Sequence, residues 1–384
     1  MNNFTYSIPT TVFFGEGSIK KLPKEILKYA DNVLIVYGGG SIKNNGIYDE
    51  MTNLLKENKI SFCELSGVEP NPRITSVRRG VEIARENKIN GILAIGGGST
   101  IDCAKTISAA FDYEGDAWDL VKNPKLIKSC LPIFTVLTIS ATGSEMDAGA
   151  VISDMKTNDK LALFNKGMLP KASVLDPTYT YSVSALQTAS GTADIISHIL
   201  EVYFDDEDDA FMQNKICEAL LKTCIKYGPK AIETPDDYEA RANLMWTSSW
   251  AINGFISCGK GKVAWPVHGM EHSLSAYYDI PHGVGLALLT PYFMELMLQK
   301  DVKVIKKFEE LAQNVFGKNT AEEAIESLRN YFKKLGLPVK LKELNIDKTH
   351  FEIMAEKAVE YSSLKYSWIP MDKQDVLTIY NMAL

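Results

Sequence analysis

Short apolar runs alternate with amphipathic segments along the first half of the chain. Residues 32–36, 91–95 and 131–137 are continuous stretches dominated by apolar side chains. Such runs are typical of strands that are buried on both faces of a parallel sheet. Between them, residues 76–87 and 101–111 repeat apolar side chains at helical spacing. The alternation of strand and helix predicts a doubly wound α/β domain.

The pattern changes after residue 177. From residue 184 onward the periodic segments have helical spacing, and β-branched runs are few. We therefore predict a second, all-helical domain, with the two domains spanning 1–180 and 181–384. The acidic run at 205–209 is expected to form a solvated loop.

Composition and charge exclude several classes of protein. Of the 384 residues, 46% are hydrophobic and 23% are charged, the balance of a globular chain with a full core. A formal net charge of −7 is a poor match for nucleic acid or an anionic membrane. We expect neither an export signal nor a membrane span, and the six cysteines form no CxxC pair. We therefore expect a cytoplasmic protein with reduced thiols.

Two glycine clusters follow predicted strands, where ligands of open α/β sheets bind. The sequence GGGST at 96–100 would let the backbone approach a pyrophosphate at a helix N-terminus. The sequence GGGS at 38–41 contains no carboxylate to bind a ribose 2′-hydroxyl, and Lys43 is nearby. It would therefore tolerate a 2′-phosphate. For both clusters, and for the hydroxyl-rich segment 138–145, a plain turn is the alternative interpretation.

The histidines indicate a metal site. Asp194 and His198 are spaced i, i+4 in an apolar helical segment, and His268, His272 and His282 lie within fifteen residues. A buried carboxylate needs a partner, and an aspartate with histidines forms a mixed N/O set suited to Fe²⁺ or Zn²⁺. The alternative is a set of unconnected histidines on helix faces, as we expect for surface-exposed His350.

A rival interpretation comes from residues 268–272, which read H-x-x-E-H. This is the signature of inverzincin metalloproteases, in which two histidines bind zinc and the glutamate acts as base. A five-residue match arises easily by chance. It also leaves the glycine-rich half, Asp194 and His198 without a role.

Taken together, these motifs resemble the iron-containing (group III) alcohol dehydrogenase family, in particular its butanol dehydrogenase and NADPH-dependent aldehyde reductase branch. The resemblance covers essentially the whole chain and rests on residues 12–17, 69–72, 96–102, 141–145, the helix of Asp194 and His198, and residues 268–282. It implies a dehydroquinate synthase-like fold, in which a Rossmann-like dinucleotide-binding domain precedes an all-helical metal-binding domain.

The resemblance also implies roles for individual residues. The metal ligands would be Asp194, His198, His268 and His282, and His272 would lie near the nicotinamide in a proton relay. The cofactor would be bound by Gly38, Gly39, Gly40, Ser41, Asn71, Gly97, Gly98, Ser99, Asp102, Thr138, Thr142 and Lys160. Lys160 would help to neutralise a 2′-phosphate.

The implied activity is the interconversion of primary, butanol-like alcohols and aldehydes by hydride transfer. The implied cofactors are NADP(H) in preference to NAD(H), and Fe²⁺, with Zn²⁺ or Ni²⁺ as substitutes; the implied assembly is a homodimer. A polyol dehydrogenase and a dehydroquinate synthase-like lyase share this architecture. The lyase would need basic groups around the metal, and only Lys260 and Lys262 are close to the histidines in sequence. A nucleotide sensor without turnover is a further alternative.

Overall fold

The computed structural model describes residues 1–206 and 209–384. Residues 207 and 208, in the predicted acidic loop, lie outside the described part. Of the flanking residues, Asp206 is exposed as expected. Asp205 instead accepts a hydrogen bond of 3.1 Å from the buried Lys260 ammonium.

The chain folds into two units, neither of which is one continuous segment. The helical unit comprises Met1–Tyr6, Ser184–Thr234 and Trp250–Leu384, and the sheet unit comprises Ser7–Val183 and Pro235–Ser249. The break at 183/184 is close to the predicted boundary at 180. The predicted domains 1–180 and 181–384 differ from the structure in residues 1–6 and 235–249.

Contacts explain both differences. The Asn2 amide donates a hydrogen bond of 2.8 Å to the Gly259 carbonyl, and the Tyr6 ring packs edge-on against Phe255. Met245, from the 235–249 segment, is fully buried in a core of the sheet unit. The segments that meet here are far apart in sequence, so local periodicity does not predict these contacts.

A six-stranded sheet in the order β1-β8-β5-β4-β2-β3 forms the centre of the sheet unit, and all neighbouring strands are parallel. The strands are β1 (Thr11–Phe14), β2 (Asn32–Tyr37), β3 (Ser61–Leu65), β4 (Gly91–Gly96), β5 (Ile133–Leu137), β6 (Gly149–Asp154), β7 (Asp159–Phe164) and β8 (Ala172–Leu175). Strands β6 and β7 form a separate antiparallel hairpin. The helices are α1 (Leu22–Ile26), α2 (Ser41–Asn44), α3 (Ile47–Glu57), α4 (Ile74–Glu86), α5 (Gly98–Ala110) and α6 (Ala117–Lys122).

Both faces of this sheet are covered, which confirms the doubly wound α/β prediction. Leu34 and Ile92 point into a core with residues of α4, α5 and α6. Their neighbours Val33 and Leu93 point into a second core with residues of α1 and α3. Successive strand residues alternate between faces, so β2 and β4 must be apolar throughout. Each fully buried Val, Leu or Ile contributes about 1.5–3 kcal/mol.

The described residues of the helical unit contain helices and no strand, as predicted. The helices are α7 (Ala185–Tyr203), α8 (Phe211–Glu233), α10 (Pro266–Tyr278), α11 (His282–Lys300), α12 (Val304–Leu311), α13 (Ala321–Lys334), α14 (Phe351–Tyr361) and α15 (Lys373–Ala383). Helix α9 (Tyr238–Ile252) begins in the sheet unit and ends in the helical unit. A single apolar core joins α7, α8, α10 and α11 with the C-terminal helices. Among the described residues, no helix combines the length and apolar character needed to cross a bilayer.

Candidate active site

Three helices of the helical unit bring the predicted metal ligands together. Helix α7 carries Asp194 and His198 on one face, because residues four apart are one turn apart. Helix α10 presents His268 in its first turn, and α11 begins at His282. The Nε2 atoms of His198, His268 and His282 lie 3.7, 3.8 and 3.7 Å from the same oxygen, Asp194 Oδ1.

These four side chains fit a divalent metal. The separations are too long for hydrogen bonds, but two tetrahedral ligands with bonds of about 2.0–2.2 Å lie roughly 3.3–3.6 Å apart. Ligand atoms of Asp194, His268 and His282 all lie within 4.8 Å of one another. Among the described residues, Asp194 Oδ1 and His268 Nε2 are buried without a hydrogen-bond partner. A buried polar atom without a partner is costly, and a bound cation would satisfy both atoms.

His198 has a second contact that fixes its ring. The imidazole stacks on that of His268, with ring centroids 4.7 Å apart and an interplanar angle of 16°. Trp265 lies edge-on to the His198 ring at 5.8 Å. The residue is buried, so its orientation is set by packing as well as by Asp194.

Two buried glutamates orient the other two imidazoles. Glu201 accepts a hydrogen bond from His268 Nδ1, and Glu271 accepts one from His282 Nδ1. Glu201 also accepts one from the Val267 backbone amide at 2.9 Å. With Nδ1 bound to a carboxylate, the Nε2 atom of each ring is turned toward Asp194. This carboxylate–histidine arrangement is typical of metal-ligating histidines.

Neither glutamate was assigned this role from the sequence. Glu201 lies on α7 three residues after His198 and seven after Asp194, so its helical spacing was a signal that could have been read. Glu271 was considered only as a protease base. Its pairing with His282 joins two different helices, and no local pattern reveals such a contact.

The geometry argues against the metalloprotease interpretation. The Glu271 carboxylate is fully buried and bonds to His282 and to the Ser275 hydroxyl. A general base must reach the water that it activates. The burial of Glu271 and its two hydrogen bonds keep its carboxylate away from such a water. Ligand atoms of Asp194, His268 and His282 form one group that could hold a metal, and those of Glu271, His272 and His282 form another, so neither group pairs His268 with His272 as the protease signature requires.

Burial and mutual charge interactions shift the pKa values of three of these side chains. Burial alone would raise the pKa of Asp194, but nearby histidines, His198 foremost, lower it to about 2. Burial lowers the pKa of His198 to about 4. Burial would also lower the pKa of His268, but the charge of Glu201, followed by contacts with Asp194, raises it to about 10. A metal bound at His268 Nε2 would displace that proton, since a ligating imidazole must be deprotonated.

His272 lies beside the Asp194, His198, His268 and His282 side chains. It follows His268 by one turn of α10, and its ring centroid is 5.4 Å from that of His282 and 6.2 Å from that of His268. Its side chain is partly exposed. Together with Glu271 and His282, His272 forms a second group that could hold a metal, and its partial exposure equally suits proton exchange with solvent.

In the sheet unit, the GGGST turn connects β4 to α5. A Cβ at Gly97 would lie 2.3 Å from Ile139 Cγ2, and one at Gly98 would lie 2.4 Å from Thr142 Cγ2. Only glycine therefore allows the 138–145 segment to pack against the start of α5. The 13-residue helix α5 directs its first N–H groups toward the carboxyl edge of the sheet, the geometry of an anion site.

Other predicted cofactor residues gather at the same edge. Asn71 is buried and has a left-handed backbone, with φ of 52°, which asparagine tolerates better than most residues. The Pro72 carbonyl next to it accepts a hydrogen bond of 2.9 Å from the Ser153 amide. Ser153 is the register partner of Lys160 across the β6–β7 hairpin. Thr138, which follows β5, donates an amide hydrogen bond of 3.1 Å to the carbonyl of Gly96 at the end of β4.

Asp102 has a different environment from the one predicted. Its Oδ1 accepts a hydrogen bond of 2.7 Å from the Ser144 hydroxyl, and Oδ2 accepts one of 2.9 Å from the Val151 amide. Burial raises the pKa of this carboxyl to about 6. Buried Lys105 donates hydrogen bonds to Ser144 and to Asp147. Asp102 thus fastens α5 to the following loop and to β6, whereas the prediction was direct cofactor contact.

The 38–41 loop is open on one side. A Cβ at Gly38 would come within 3.3 Å of the Val68 carbonyl, whereas one at Gly39 or Gly40 would meet no atom within 4 Å. The loop itself contains no carboxylate, as the sequence showed. Glu64 on the neighbouring strand β3 nevertheless lies 3.6 Å from the Lys43 ammonium, a contact for which the local sequence pattern gives no signal.

A doubly wound sheet with a glycine-rich turn at a helix N-terminus, together with an Asp/His cluster that fits a divalent metal, is typical of a metal-dependent, dinucleotide-binding enzyme. Comparison with known families gives the same result. Residues 9–177 match the family described as Iron-containing alcohol dehydrogenase, and residues 188–384 match Fe-containing alcohol dehydrogenase family, C-terminal. The chain belongs to the iron-containing alcohol dehydrogenase family, and within it to the butanol dehydrogenase and aldehyde reductase branch.

Individual relatives cover the whole chain. It is 57% identical to NADH-dependent butanol dehydrogenase A of Clostridium acetobutylicum, over 100% of both chains. It is 37% identical to the NADPH-dependent aldehyde reductase YqhD of Escherichia coli, over 94% of each. A crystal structure of NADH-dependent butanol dehydrogenase A from Thermotoga maritima superposes with a TM-score of 0.94 at 39% identity, covering 100% of this chain and 99% of that one. The protein is therefore an oxidoreductase that interconverts alcohols and aldehydes.

Proposed function

We propose that the protein reduces short primary aldehydes such as butanal, and oxidises the matching alcohols, by hydride transfer with a nicotinamide dinucleotide. The observation that carries the proposal is the convergence of three imidazole Nε2 atoms on Asp194 Oδ1. The substrate class is supported by the names of the relatives, several of which are butanol dehydrogenases.

Asp194, His198, His268 and His282 would hold the metal. Bound there, the ion would act as a Lewis acid on the substrate oxygen. The aspartate supplies the only negative charge among the four ligands, while Glu201 and Glu271 keep two imidazoles in the ligating orientation. The family description names iron, and an N/O donor set also accepts zinc or nickel.

Reduction of an aldehyde also needs a proton. His272 is the proposed donor because it lies within one turn of a ligand yet keeps partial exposure, so its ring nitrogen can be recharged from solvent. A positioned acid of this kind contributes roughly 10²–10⁴-fold to a rate.

The dinucleotide would be bound at the carboxyl edge of the sheet. Backbone N–H groups at Gly98 and Ser99 would hold the pyrophosphate, and Thr138, Thr142, Asn71 and Lys160 would contact the rest of the cofactor. The open 38–41 loop leaves room for a 2′-phosphate, which is the basis for preferring NADPH. The relatives differ here, since butanol dehydrogenase A is named as NADH-dependent and YqhD as NADPH-dependent. We propose that this chain accepts both dinucleotides.

The same-fold lyase alternative is weakened by Lys260. Its ammonium is buried and is bonded to Asp205 at 3.1 Å and to Asn214 at 2.7 Å. It is therefore not available to bind a substrate phosphate. The proposal also retains a homodimer in the cytoplasm, which light scattering and cell fractionation would test.

The decisive experiment is anaerobic. Metal-stripped protein is reloaded with Fe²⁺ or Zn²⁺, mixed with butanal, and followed by the absorbance of NADPH and, separately, of NADH. Metal-dependent oxidation of either dinucleotide supports the proposal. Folded, metal-loaded protein that oxidises neither would refute it and return the lyase and the polyol dehydrogenase to consideration.

A further inference from the structure

Four side chains form a cluster beside the open glycine loop. Tyr37 is the last residue of β2, Lys43 lies in α2, Tyr48 in α3 and Glu64 in β3. The Tyr37 hydroxyl donates a hydrogen bond of 2.7 Å to Glu64 Oε2, and the Tyr48 hydroxyl donates one to Oε1. We call these four residues the Glu64 cluster.

Lys43 is held over this carboxylate. Its ammonium lies 3.6 Å from Glu64 Oε2, 4.4 Å from the centroid of the Tyr48 ring and 5.1 Å from that of Tyr37. Both ring faces attract a cation, so the lysine is oriented as well as neutralised. The side chains of Lys43 and Glu64 remain 47% and 31% exposed, so a bound ligand can interact electrostatically with both charges.

The cluster lies where an adenosine ribose is expected. Strands β2 and β4 are paired, with Tyr37 opposite Ile95. The loop after β2 is therefore next to the pyrophosphate turn after β4. In doubly wound folds, the strand beside that turn carries the group that distinguishes a ribose hydroxyl from a 2′-phosphate. Here that position is glycine, and the nearest charged pair is Lys43 and Glu64.

We propose that Glu64 sets the preference between NADH and NADPH by neutralising Lys43 beside the ribose position. The inference rests on the proposed dehydrogenase function. A 2′-phosphate carries close to two negative charges at neutral pH, whereas a hydroxyl carries none. The net charge of the cluster therefore acts on NADPH and leaves NADH almost unaffected. With Glu64 ionised, the Lys43 charge is balanced and the open loop gives NADPH no electrostatic advantage.

The test compares two variants that change this net charge in opposite directions. Glu64→Gln keeps an acceptor oxygen for one tyrosine hydroxyl, offers its amide N–H to the other, and leaves the Lys43 charge unbalanced. We expect it to raise the preference for NADPH over NADH by roughly three- to tenfold, the size of one charge acting across several ångströms near a protein surface. Lys43→Gln should lower the same ratio by a similar factor. Glu86→Gln, a charge removal at an exposed position at the end of α4, is the matched control and should leave the ratio unchanged.

Binding is measured apart from turnover, from the fluorescence of each reduced dinucleotide, and kcat/KM is measured with butanal in metal-loaded protein. Opposite shifts in the Kd ratio for the two variants, with NADH binding retained, support the inference. Equal ratios in wild type and both variants overturn it, as do shifts of the same sign. Wild-type protein that binds both dinucleotides but reduces no aldehyde overturns the proposed function instead, and the Kd ratios still decide the role of Glu64.

Discussion

Gly283 packs so closely on α7 that a Cβ at this position would lie 1.9 Å from the backbone carbonyl oxygen of Ser190. Gly283 follows His282 in α11, and Ser190 precedes Asp194 by one turn of α7. The close approach of these two helices therefore brings His282 and Asp194, two ligands of the proposed metal site, near each other. No flexible side chain can move aside, because the atom in contact is backbone.

Gly283→Ala should consequently weaken both the fold and the metal site. Helix α11 would have to move away from α7, and overpacking of this kind costs about 1–3 kcal/mol. We expect a lower urea midpoint and a reduced metal content. Gly261→Ala is the control, since a Cβ there meets no atom within 4 Å and should change neither quantity. Wild-type metal affinity in Gly283→Ala would show that the helix spacing does not determine the site.

Glu271→Gln should lower metal affinity while keeping the shape of the side chain. Loss of the carboxylate charge weakens the hold on His282 Nδ1, and changes in such supporting groups cost roughly 10–100-fold in affinity. The measurement is competition with a chelator of known affinity. Glu360→Gln removes a charge from an exposed residue of α14 and should have no effect. Equal chelator curves for wild type and Glu271→Gln would contradict the assigned role.

Replacing His268 and replacing His272 by alanine should have different effects on metal content and on activity. His268→Ala should lose most of the bound metal and the activity with it. His272→Ala should retain the metal, while kcat for aldehyde reduction falls by roughly a hundredfold. Metal analysis of both purified proteins, alongside their steady-state kinetics, separates the two roles. If His272→Ala loses its metal to the same extent, the residue is a ligand and not a proton donor.

Glu145 should make the stability of the protein depend on pH. Ser249 donates a hydrogen bond to Oε1, and among the described residues no group bonds to the buried Oε2. Burial raises the pKa of this carboxyl from 4.5 to about 7. The folded state therefore holds the proton more tightly than the unfolded state. The contribution of the Glu145 carboxyl to the free energy of unfolding is fully present below pH ~4.5 and is lost as the pH rises through ~7.

Glu145→Gln mimics the protonated form and should remove this dependence. Between pH 5 and pH 8, the wild type should lose roughly 2–3 kcal/mol of unfolding free energy relative to the variant. Urea denaturation of chelator-treated protein at the two pH values measures it. Glu86→Gln should show no such shift. A difference that is constant with pH would mean that Glu145 is ionised in the fold throughout this range.

The sequence predicted what local periodicity and spacing encode. The strands at 32–36 and 91–95 were located to within one residue of β2 and β4, because both are apolar on each face. The i, i+4 spacing of Asp194 and His198 indicated their shared face. Strands β1 and β8 are four residues each, too short for a periodic pattern, and were not predicted.

What the sequence did not reveal depends on contacts between distant segments. Glu271 on α10 bonds to His282 on α11, and Glu64 on β3 forms an ion pair with Lys43 on α2. The hydrogen bonds that Asp102 accepts from Ser144 and Val151 likewise join residues more than forty positions apart. Each is a hydrogen bond or ion pair between different secondary-structure elements, made by a carboxylate that a one-dimensional pattern would place in solvent.

The division of the chain into interleaved segments has a consequence for its biosynthesis. Chains emerge from the ribosome N-terminus first, and domains generally fold as units. The sheet unit lacks residues 235–249 until long after β8 has emerged, so Met245 cannot fill its core at that stage. The first six residues must wait longer still, for partners beyond residue 250. We therefore expect truncated nascent chains that end near residue 200 to resist protease poorly, and protection to rise sharply once α9 has left the exit tunnel.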